Sequence, residues 1–312
     1  MSVPAYAIAL KQAQYPTYIL TDQSSGAKVE VVPERGGIIT QWHLGDTQIL
    51  YFDAERFKNP EQSIRGGIPI LFPICGNLPD DTYTLNGETY TLKQHGFARD
   101  MPWTVSDRGV KDGAEGGAFL ELTLNSTEET RRVYPFDFEL TFTYRLQGNQ
   151  LILQQRFTNK SDRSMPFSTG LHPYFQIDGQ TEDRGQSNGQ TNQAKSALQM
   201  TLPAKRYLNQ ITQTAHEYDG SLDWAAAELD IAFRPISDQI AVATDPKRNV
   251  SIELAYDDAY TTLVFWTVAG KNYYCLEPWS APRNALNTGT DLLILPPGES
   301  KTLNVNFTAK VA

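Results

Sequence analysis

The chain has few cysteines, few histidines and no long apolar segment, and these shortages exclude several classes of protein. Its 312 residues include two cysteines and four histidines. None of these residues lie at the spacing typical of zinc ligands. The longest apolar run, residues 262–269, is far shorter than the roughly 18 residues of a membrane-spanning helix. We therefore expect neither a metal centre nor a membrane partner.

Positive charge is also scarce. Lysine and arginine number 27 against 36 acidic residues, so the net charge is −9. A nucleic-acid-binding protein needs a basic face that neutralises phosphates, so no nucleic-acid partner is expected. The acidic balance does not exclude a small anionic ligand, because a local pair of arginines is enough to hold one.

The cysteines and the N-terminus indicate a location. Cys75 and Cys275 both lie in apolar sequence, where buried free thiols of a reducing compartment fit better than a disulfide. Residues 1–6 lack the basic and apolar regions of a secretory signal peptide. These features predict a cytoplasmic protein. The sequence does not reveal the oligomeric state, although a monomer is favoured.

Strand patterns dominate what the chain does contain. Polar and apolar residues alternate over 119–124, 138–146 and 302–307, as they do in half-buried strands. Asn86-Gly87 is a preferred two-residue hairpin turn and separates two further strand-like runs. No linker divides the chain. We predict a single all-β domain spanning residues 1–312.

Two segments depart from this pattern. Residues 221–228 are the best candidate for a turn or two of helix. Residues 179–195 are rich in glutamine, asparagine, glycine and serine and contain almost no apolar side chain. Such a composition cannot bury a core, so this segment is predicted to be an exposed, mobile loop.

The segment 94–99, Gln-His-Gly-Phe-Ala-Arg, concentrates hydrogen-bond donors next to little apolar area. The planar guanidinium of Arg99 suits a carboxylate or phosphate, and Gly96 allows a ligand to approach the backbone. Arg65, which precedes two glycines, is either a solvated turn residue or a partner of Arg99 around one anion. Asp230, between apolar neighbours, either binds hydroxyl groups or caps a turn.

His172 and Glu277 are the candidates for proton transfer. His172 follows an apparent strand end and precedes Pro173. It is either packed in an aromatic corner or held rigidly as a general acid. Glu277 follows an apolar run and precedes a proline and a tryptophan. It is either a surface glutamate at a strand end or a pocket carboxylate whose charged form is disfavoured by burial.

Together these segments resemble the aldose 1-epimerase (mutarotase) superfamily, and within it the hexose-6-phosphate mutarotase (glucose-6-phosphate 1-epimerase) branch. The similarity extends from about residue 30 to the C-terminus. Its motifs, in order, are Arg-Gly-Gly-Ile-Pro at 65–69 with Phe-Pro at 72–73, the segment 94–99, Leu-His-Pro-Tyr-Phe at 171–175 and Leu-Glu-Pro-Trp at 276–279.

The resemblance implies a large antiparallel β-sandwich of the galactose-mutarotase type. It makes His172 the general acid and Glu277 the general base of a cofactor-independent isomerase. Trp279 and Tyr174 are candidates for an aromatic wall that stacks on the sugar. The implied substrate-binding residues are Arg65, Gln94, His95, Arg99 and Asp230, with the two arginines serving a phosphate.

One site position departs from the family pattern, because no basic residue follows Asp230. His95 is expected to orient the substrate or its own loop, since His172 is available as the acid.

We predict an isomerase that interconverts the α and β anomers of a hexose 6-phosphate by ring opening and closure. Its partner would be the sugar phosphate, and no metal or redox cofactor is needed. Two alternatives stay open: an aldose 1-epimerase acting on neutral sugars, and a non-catalytic carbohydrate-binding protein on the same fold. A glycosidase fits less well, because it normally needs two separated carboxylates.

Overall fold

Antiparallel sheets make up most of the structure. The computed structural model describes residues 5–111, 113, 116–177 and 194–311. Within these ranges the strands form three large sheets and two small two-stranded ladders, and every ladder is antiparallel. The predicted all-β class is therefore confirmed.

The N-terminal sheet has five strands that follow one another in chain order. They are β1 (Tyr6–Lys11), β2 (Thr17–Asp22), β3 (Ala27–Val32), β4 (Ile38–Leu44) and β5 (Thr47–Gln48).

The second sheet supplies one layer of the sandwich. Its strands in spatial order are β16 (Gln199–Thr201), β20 (Ile240–Asp245), β21 (Val250–Tyr256), β25 (Ser300–Val311), β12 (Gln150–Asn159), β11 (Phe138–Gln147), β10 (Gly117–Asn125) and β9 (Thr104–Lys111).

The third sheet supplies the facing layer and carries the candidate site. Its spatial order is β18 (Thr214–Glu217), β17 (Arg206–Asn209), β19 (Glu228–Phe233), β22 (Thr262–Val268), β23 (Tyr273–Trp279), β14 (Gly170–Leu171) and β6 (Ile70–Leu71), with β15 (Tyr174–Gln176) also paired to β23.

Short elements complete the described chain. The ladders are β7 (Thr82–Leu85) with β8 (Glu88–Thr91) and β13 (Met165–Phe167) with β24 (Leu293–Leu295). The α-helices with described bounds are α1 (Ala54–Lys58), α2 (Glu128–Val133) and α3 (Ala285–Thr288), residues 194–196 are also helical, and 3-10 turns span Pro79–Asp81 and Ala98–Asp100. No helix in these ranges has the length and apolar character needed to cross a membrane.

The core lies between the second and third sheets. Along β11 every second residue is buried, which is the alternation that the sequence predicted. The Phe72 ring, next to β6, stacks on Phe157 of β12 with centroids 6.0 Å apart. Phe175 of β15 lies 6.1 Å from Phe307 of β25. These cross-layer contacts bury large aromatic areas and hold the third sheet in place beneath the site.

The predicted hairpin is confirmed. Asn86 and Gly87 have φ values of 52° and 86°, as a primed two-residue turn requires. Residues 221–228, in contrast, contain turns but no helix, and Glu228 already begins β19. The side chains of Asp219 and Asp223 accept hydrogen bonds from nearby backbone amides there, and such local bonds compete with helix formation.

The polar segment 179–195 is tested only at its end, because residues 178–193 lie outside the described ranges. At Lys195 the prediction of an exposed loop is wrong, since this side chain is buried. Its ammonium group donates to the carbonyl oxygen of Val268 while its alkyl stem is covered. The prediction of buried free thiols is confirmed for both Cys75 and Cys275.

Candidate active site

Strand β23 brings the two candidate proton-transfer residues together. Its register pairs Cys275 with Tyr174 and Trp279 with Gly170, which places His172 opposite Glu277. His172 itself lies between β14 and β15, and its amide donates to the carbonyl oxygen of Pro69. Residues 105 positions apart in the chain therefore face each other because two short strands pair with one buried strand.

His172 and Glu277 form a close, buried pair. The Nε2 atom of His172 lies 3.4 Å from Oε1 of Glu277. The other oxygen of Glu277 accepts a hydrogen bond of 3.1 Å from the indole of Trp279. The imidazole stacks on the ring of Tyr174, with centroids 4.7 Å apart. These contacts fix both groups in orientations that permit proton transfer.

Burial shifts the pKa values of Glu277 and His172 in opposite directions. It raises the pKa of Glu277 well above its usual range, and the negative charge of Asp230 adds to this rise. It lowers the pKa of His172 well below its usual range, and the positive charges of Arg99 and Arg65 lower it further. Burial thus favours the neutral form of each group, with the proton on the carboxyl group rather than on the imidazole.

His95 is held as a neutral donor. Its Nδ1 atom accepts a hydrogen bond of 3.1 Å from the amide of Gly76, which leaves the ring proton on Nε2. Burial lowers the pKa of His95 well below its usual range, and the charge of Arg99 contributes. The ring meets both His172 and Trp279 edge-on at 5.6 Å. This arrangement suits a residue that orients a ligand.

Arg65 and Arg99 supply positive charge to the same cavity. The Arg65 guanidinium lies 5.4 Å above the Trp266 ring and donates to the hydroxyl of Tyr174 over 3.4 Å. Arg99 donates to the carbonyl oxygen of Gln94 over 3.0 Å. Burial lowers the pKa of Arg99, and the charge of Arg65 contributes, so the two cations lie close enough to interact.

The two arginines are poorly neutralised. Among the described residues no carboxylate oxygen lies within 4 Å of Arg65, and the closest to Arg99 is that of the exposed Asp100 at 3.9 Å. Two cations that line one cavity and lack close counter-ions are suited to an anion with several oxygens.

Asp230 on β19 is held from two sides. Gln210 donates to one carboxylate oxygen and Arg283 to the other, both over 2.6 Å. Burial raises the pKa of Asp230, and the charge of Arg283 partly offsets that effect. Arg283 also donates to Asn77 over 3.0 Å. The cation that the sequence lacks beside Asp230 is thus supplied by the segment after β23.

A single cavity collects all seven residues that the sequence indicated. Its volume is about 270 Å³, just below the roughly 300–1,000 Å³ of pockets for drug-sized ligands, and suits a monosaccharide. The walls include Arg65, Gln94, His95, Arg99, His172, Asp230 and Glu277.

Several wall residues were not anticipated from the sequence. Trp266 lines the cavity and donates to Glu228 over 2.6 Å, and Arg283 lines it beside Asp230. Trp279 lies in the wall as expected, but Tyr174 does not, because its buried ring lies behind His172. The only sequence signal for Arg283 is its position four residues after the Leu-Glu-Pro-Trp motif.

One cluster of potential metal ligands occurs within the described ranges. Ligand atoms of His172, Cys275 and Glu277 all lie within 4.8 Å of one another, and all three residues are buried. Local spacing did not indicate this cluster, because the histidine is distant in the chain from the strand that carries the other two residues.

Solved structures share this fold. The Slr1438 protein of Synechocystis sp. PCC 6803 is 46% identical, with a TM-score of 0.88 over 98% of this chain and 100% of that chain. A galactose mutarotase-like protein of Clostridium acetobutylicum superposes with a TM-score of 0.79 over 99% of both chains at 19% identity. The predicted β-sandwich of the galactose-mutarotase type is thereby confirmed.

Sequence comparison identifies the family. The chain is 30% identical over 155 residues to a Cenchrus ciliaris protein with the provisional name glucose-6-phosphate 1-epimerase, a match that covers 48% of this chain and 44% of that protein. The model of the aldose 1-epimerase family matches residues 17–308. The predicted superfamily is confirmed, and the chain belongs to the aldose 1-epimerase family.

Proposed function

We propose that the protein is a hexose-6-phosphate 1-epimerase that interconverts the α and β anomers of its substrate. One observation carries the proposal: a monosaccharide-sized cavity holds both a buried acid–base pair and two weakly neutralised arginines. The pair supplies the chemistry, and the arginines select a substrate that carries an anion. The provisional name of the Cenchrus ciliaris relative supports the same substrate class.

The reaction requires proton transfer at two oxygens of the sugar. With the pair ionised, Glu277 takes the proton of the C1 hydroxyl while His172 gives its proton to the ring oxygen. The bond between C1 and the ring oxygen breaks and leaves an aldehyde. Rotation about C1–C2 followed by the reverse transfers closes the ring on the other face. Each positioned group typically contributes about 10²- to 10⁴-fold in rate.

The remaining wall residues position the sugar. Arg65 and Arg99 hold the phosphate by charge-assisted hydrogen bonds, which are stronger than neutral ones. Asp230, Gln94 and the Nε2–H group of His95 contact hydroxyl or ring oxygens. The protons balance within the pair, so the steps need neither a metal ion nor a redox cofactor. The two free thiols favour a reducing compartment and so support a cytoplasmic location.

Exchange between anomers of glucose 6-phosphate, followed by NMR or polarimetry, tests the enzymatic activity. We expect wild type to accelerate exchange and His172→Asn to lose about 10²-fold or more of that rate. A folded wild-type protein that exchanges anomers no faster than buffer, but still binds the sugar, would instead support the non-catalytic alternative.

Substrate class is tested by comparing phosphorylated and free glucose. Arg65→Ala and Arg99→Ala should raise KM for glucose 6-phosphate far more than for glucose, because only the phosphorylated sugar contacts the arginines. Arg132→Ala, which removes an exposed arginine far along the chain in α2, is the control. Equal effects on both sugars would favour the neutral-sugar aldose 1-epimerase.

A further inference from the structure

We propose that His172, Cys275 and Glu277 form an inhibitory binding site for a soft divalent metal ion such as Zn²⁺. The ion would occupy the acid–base pair itself and so prevent proton transfer. Inhibition, as an effect on activity, rests on the proposed epimerase function. Binding of the ion does not, because it depends only on the three side chains.

The spacing of the ligand atoms is close to that of a tetrahedral site. Bonds of about 2.0–2.3 Å place neighbouring ligand atoms in a zinc site roughly 3.3–3.8 Å apart. The Nε2 of His172 and Oε1 of Glu277 already lie 3.4 Å apart. The separations that involve the Cys275 sulfur are at most 4.8 Å, so a shift of about 1 Å suffices.

Strand geometry directs the two ligands of β23 to one side. Cys275 and Glu277 are separated by a single residue, so their side chains leave the same face of the strand. That face meets His172 across the register described above. The three ligands therefore come from two adjacent backbone segments, both fixed by sheet hydrogen bonds.

The ligand types determine which ions fit. A thiolate, an imidazole and a carboxylate favour zinc and cadmium, whereas Mg²⁺ and Ca²⁺ prefer all-oxygen sites. Three protein ligands leave a fourth position, as in many zinc enzymes. Because His172 and Glu277 line the sugar cavity and Cys275 lies behind them, that position faces the cavity.

Within the described ranges, no hydrogen bond holds the far side of the His172 ring. Nδ1 of His172 is buried and, among the described residues, lacks a hydrogen-bond partner. The ring can therefore shift slightly and bring Nε2 to the ion without breaking a hydrogen bond at Nδ1. His172 as a whole is 7% exposed, which leaves a route for the ion from the cavity.

Local charge permits a dication despite three arginines in the cavity wall. As the ion binds, Cys275 and Glu277 release their protons to water and become negative. With Asp230 and Glu228 these two groups give four negative charges against the three positive charges of Arg65, Arg99 and Arg283. Once both protons have left, the bound ion is surrounded by more negative than positive charge.

Calorimetry with Zn²⁺ and the ultraviolet thiolate band of bound Cd²⁺ test binding without any sugar. We expect one saturable site in wild type and a cadmium–thiolate band that Cys275→Ser abolishes. Removing this ligand should weaken Zn²⁺ binding at least about tenfold. Cys75→Ser is the matched control, because it removes the other buried thiol and should leave both signals unchanged.

Anomer exchange of glucose 6-phosphate then tests inhibition. Zn²⁺ should inhibit wild type, a chelator should restore the rate, and Cys275→Ser should keep its basal rate while resisting the ion. Wild type that binds no Zn²⁺, or Cys275→Ser that binds it equally well with a cadmium–thiolate band, would overturn the proposal. A protein that binds Zn²⁺ through Cys275 but has no epimerase activity would instead contradict the proposed function.

Discussion

The Nε2 atom of His172 and the Oε1 atom of Glu277 lie 3.4 Å apart, and both residues are buried. At this distance a small movement of either side chain allows a proton to pass between the two groups. Burial favours the arrangement in which both are neutral, whereas the proposed mechanism starts with a carboxylate and an imidazolium. Substrate binding therefore has to move the proton from Glu277 to His172.

We expect an oxyanion bound by the two arginines to provide this shift, and inorganic phosphite tests the expectation. The charges of Arg99 and Arg65 lower the pKa of His172 in addition to burial. An anion that neutralises them should raise that pKa and favour the imidazolium. We expect phosphite to increase the kcat/KM of wild type for unphosphorylated glucose about tenfold, which corresponds to one pKa unit.

The measurement is polarimetry of glucose, after subtraction of the rate with phosphite but no enzyme. Chloride at equal ionic strength controls for screening. Arg99→Ala should respond much less than wild type. If phosphite leaves the wild-type rate unchanged while glucose 6-phosphate is a good substrate, the arginines bind the substrate without influencing the acid–base pair.

The raised pKa of Glu277 also predicts how stability depends on pH. Burial, followed by the charge of Asp230, raises this pKa in the folded protein. The unfolded carboxyl group ionises near pH 4.3, about its ordinary value. Wild type thus has the full contribution of Glu277 below that pH and loses it as the pH rises towards the folded pKa. Glu277→Gln does not titrate and avoids this loss.

Urea unfolding of both proteins at about pH 4.5 and about pH 8 measures the effect. The free energy of unfolding of Glu277→Gln, minus that of wild type, should increase with pH. The lowered pKa of His172 gives the opposite slope in both proteins, because its causes, burial and the charges of Arg99 and Arg65, are unchanged in Glu277→Gln. Glu88→Gln, at an exposed hairpin position, controls for loss of a carboxylate. A difference that stays constant or falls with pH would contradict the inference.

The sequence correctly predicted those structural features that depend only on neighbouring residues. The alternation along β11 and the Asn86-Gly87 turn each depend on neighbouring residues, and both are confirmed. The four motifs indicated six residues that line one cavity, because each motif lies at a strand end or loop around it, and Asp230, outside the motifs, is the seventh. Their roles as acid, base and substrate contacts stay predictions.

Features that depend on distant parts of the chain were not predictable from local patterns. The hydrogen bond from Arg283 to Asp230 joins residues 53 positions apart, and no local pattern around either residue indicates this contact. The burial of Lys195 depends on a carbonyl group of β22. The helix expected at 221–228 is absent because aspartate side chains bind the backbone there.

Arg283 should matter to catalysis although it belongs to none of the motifs. It donates to Asp230 over 2.6 Å, and this carboxylate is expected to contact sugar hydroxyl groups. Arg283→Gln removes a hydrogen bond to a charged group, typically worth about 1.5–3 kcal/mol, so kcat/KM should fall about 10- to 100-fold. Steady-state kinetics on glucose 6-phosphate measures the loss.

Two variants separate charge from geometry at this position. Arg283→Lys keeps the charge but not the planar fork and should recover only part of the activity. Arg132→Gln, at an exposed position, should have no effect. If folded Arg283→Gln has wild-type kinetics, the hydrogen bond from Arg283 is not needed to position Asp230.

Gly76 lies against Arg283 and donates its amide hydrogen to His95. A pair of glycine substitutions tests whether the site depends on these two contacts. Gly76 has a φ of +69°, and a Cβ atom there would lie 2.3 Å from Cγ of Arg283 and 3.2 Å from the Trp279 ring. Gly298 has a similar φ of +74° but no atom within 4 Å of its would-be Cβ. Both alanine variants are destabilised by left-handed backbone strain of about 1–2 kcal/mol, but only Gly76→Ala also crowds the site.

Gly298→Ala should therefore lower the unfolding temperature and leave kcat/KM unchanged. Gly76→Ala should lower both, because Arg283 is pushed away from Asp230 and the amide that fixes the tautomer of His95 moves with the strained backbone. Thermal unfolding and anomer exchange on the same samples separate the two effects. Equal kcat/KM values for the two variants, at equal fractions folded, would mean that Arg283 and His95 tolerate displacement and that neither positions the sugar.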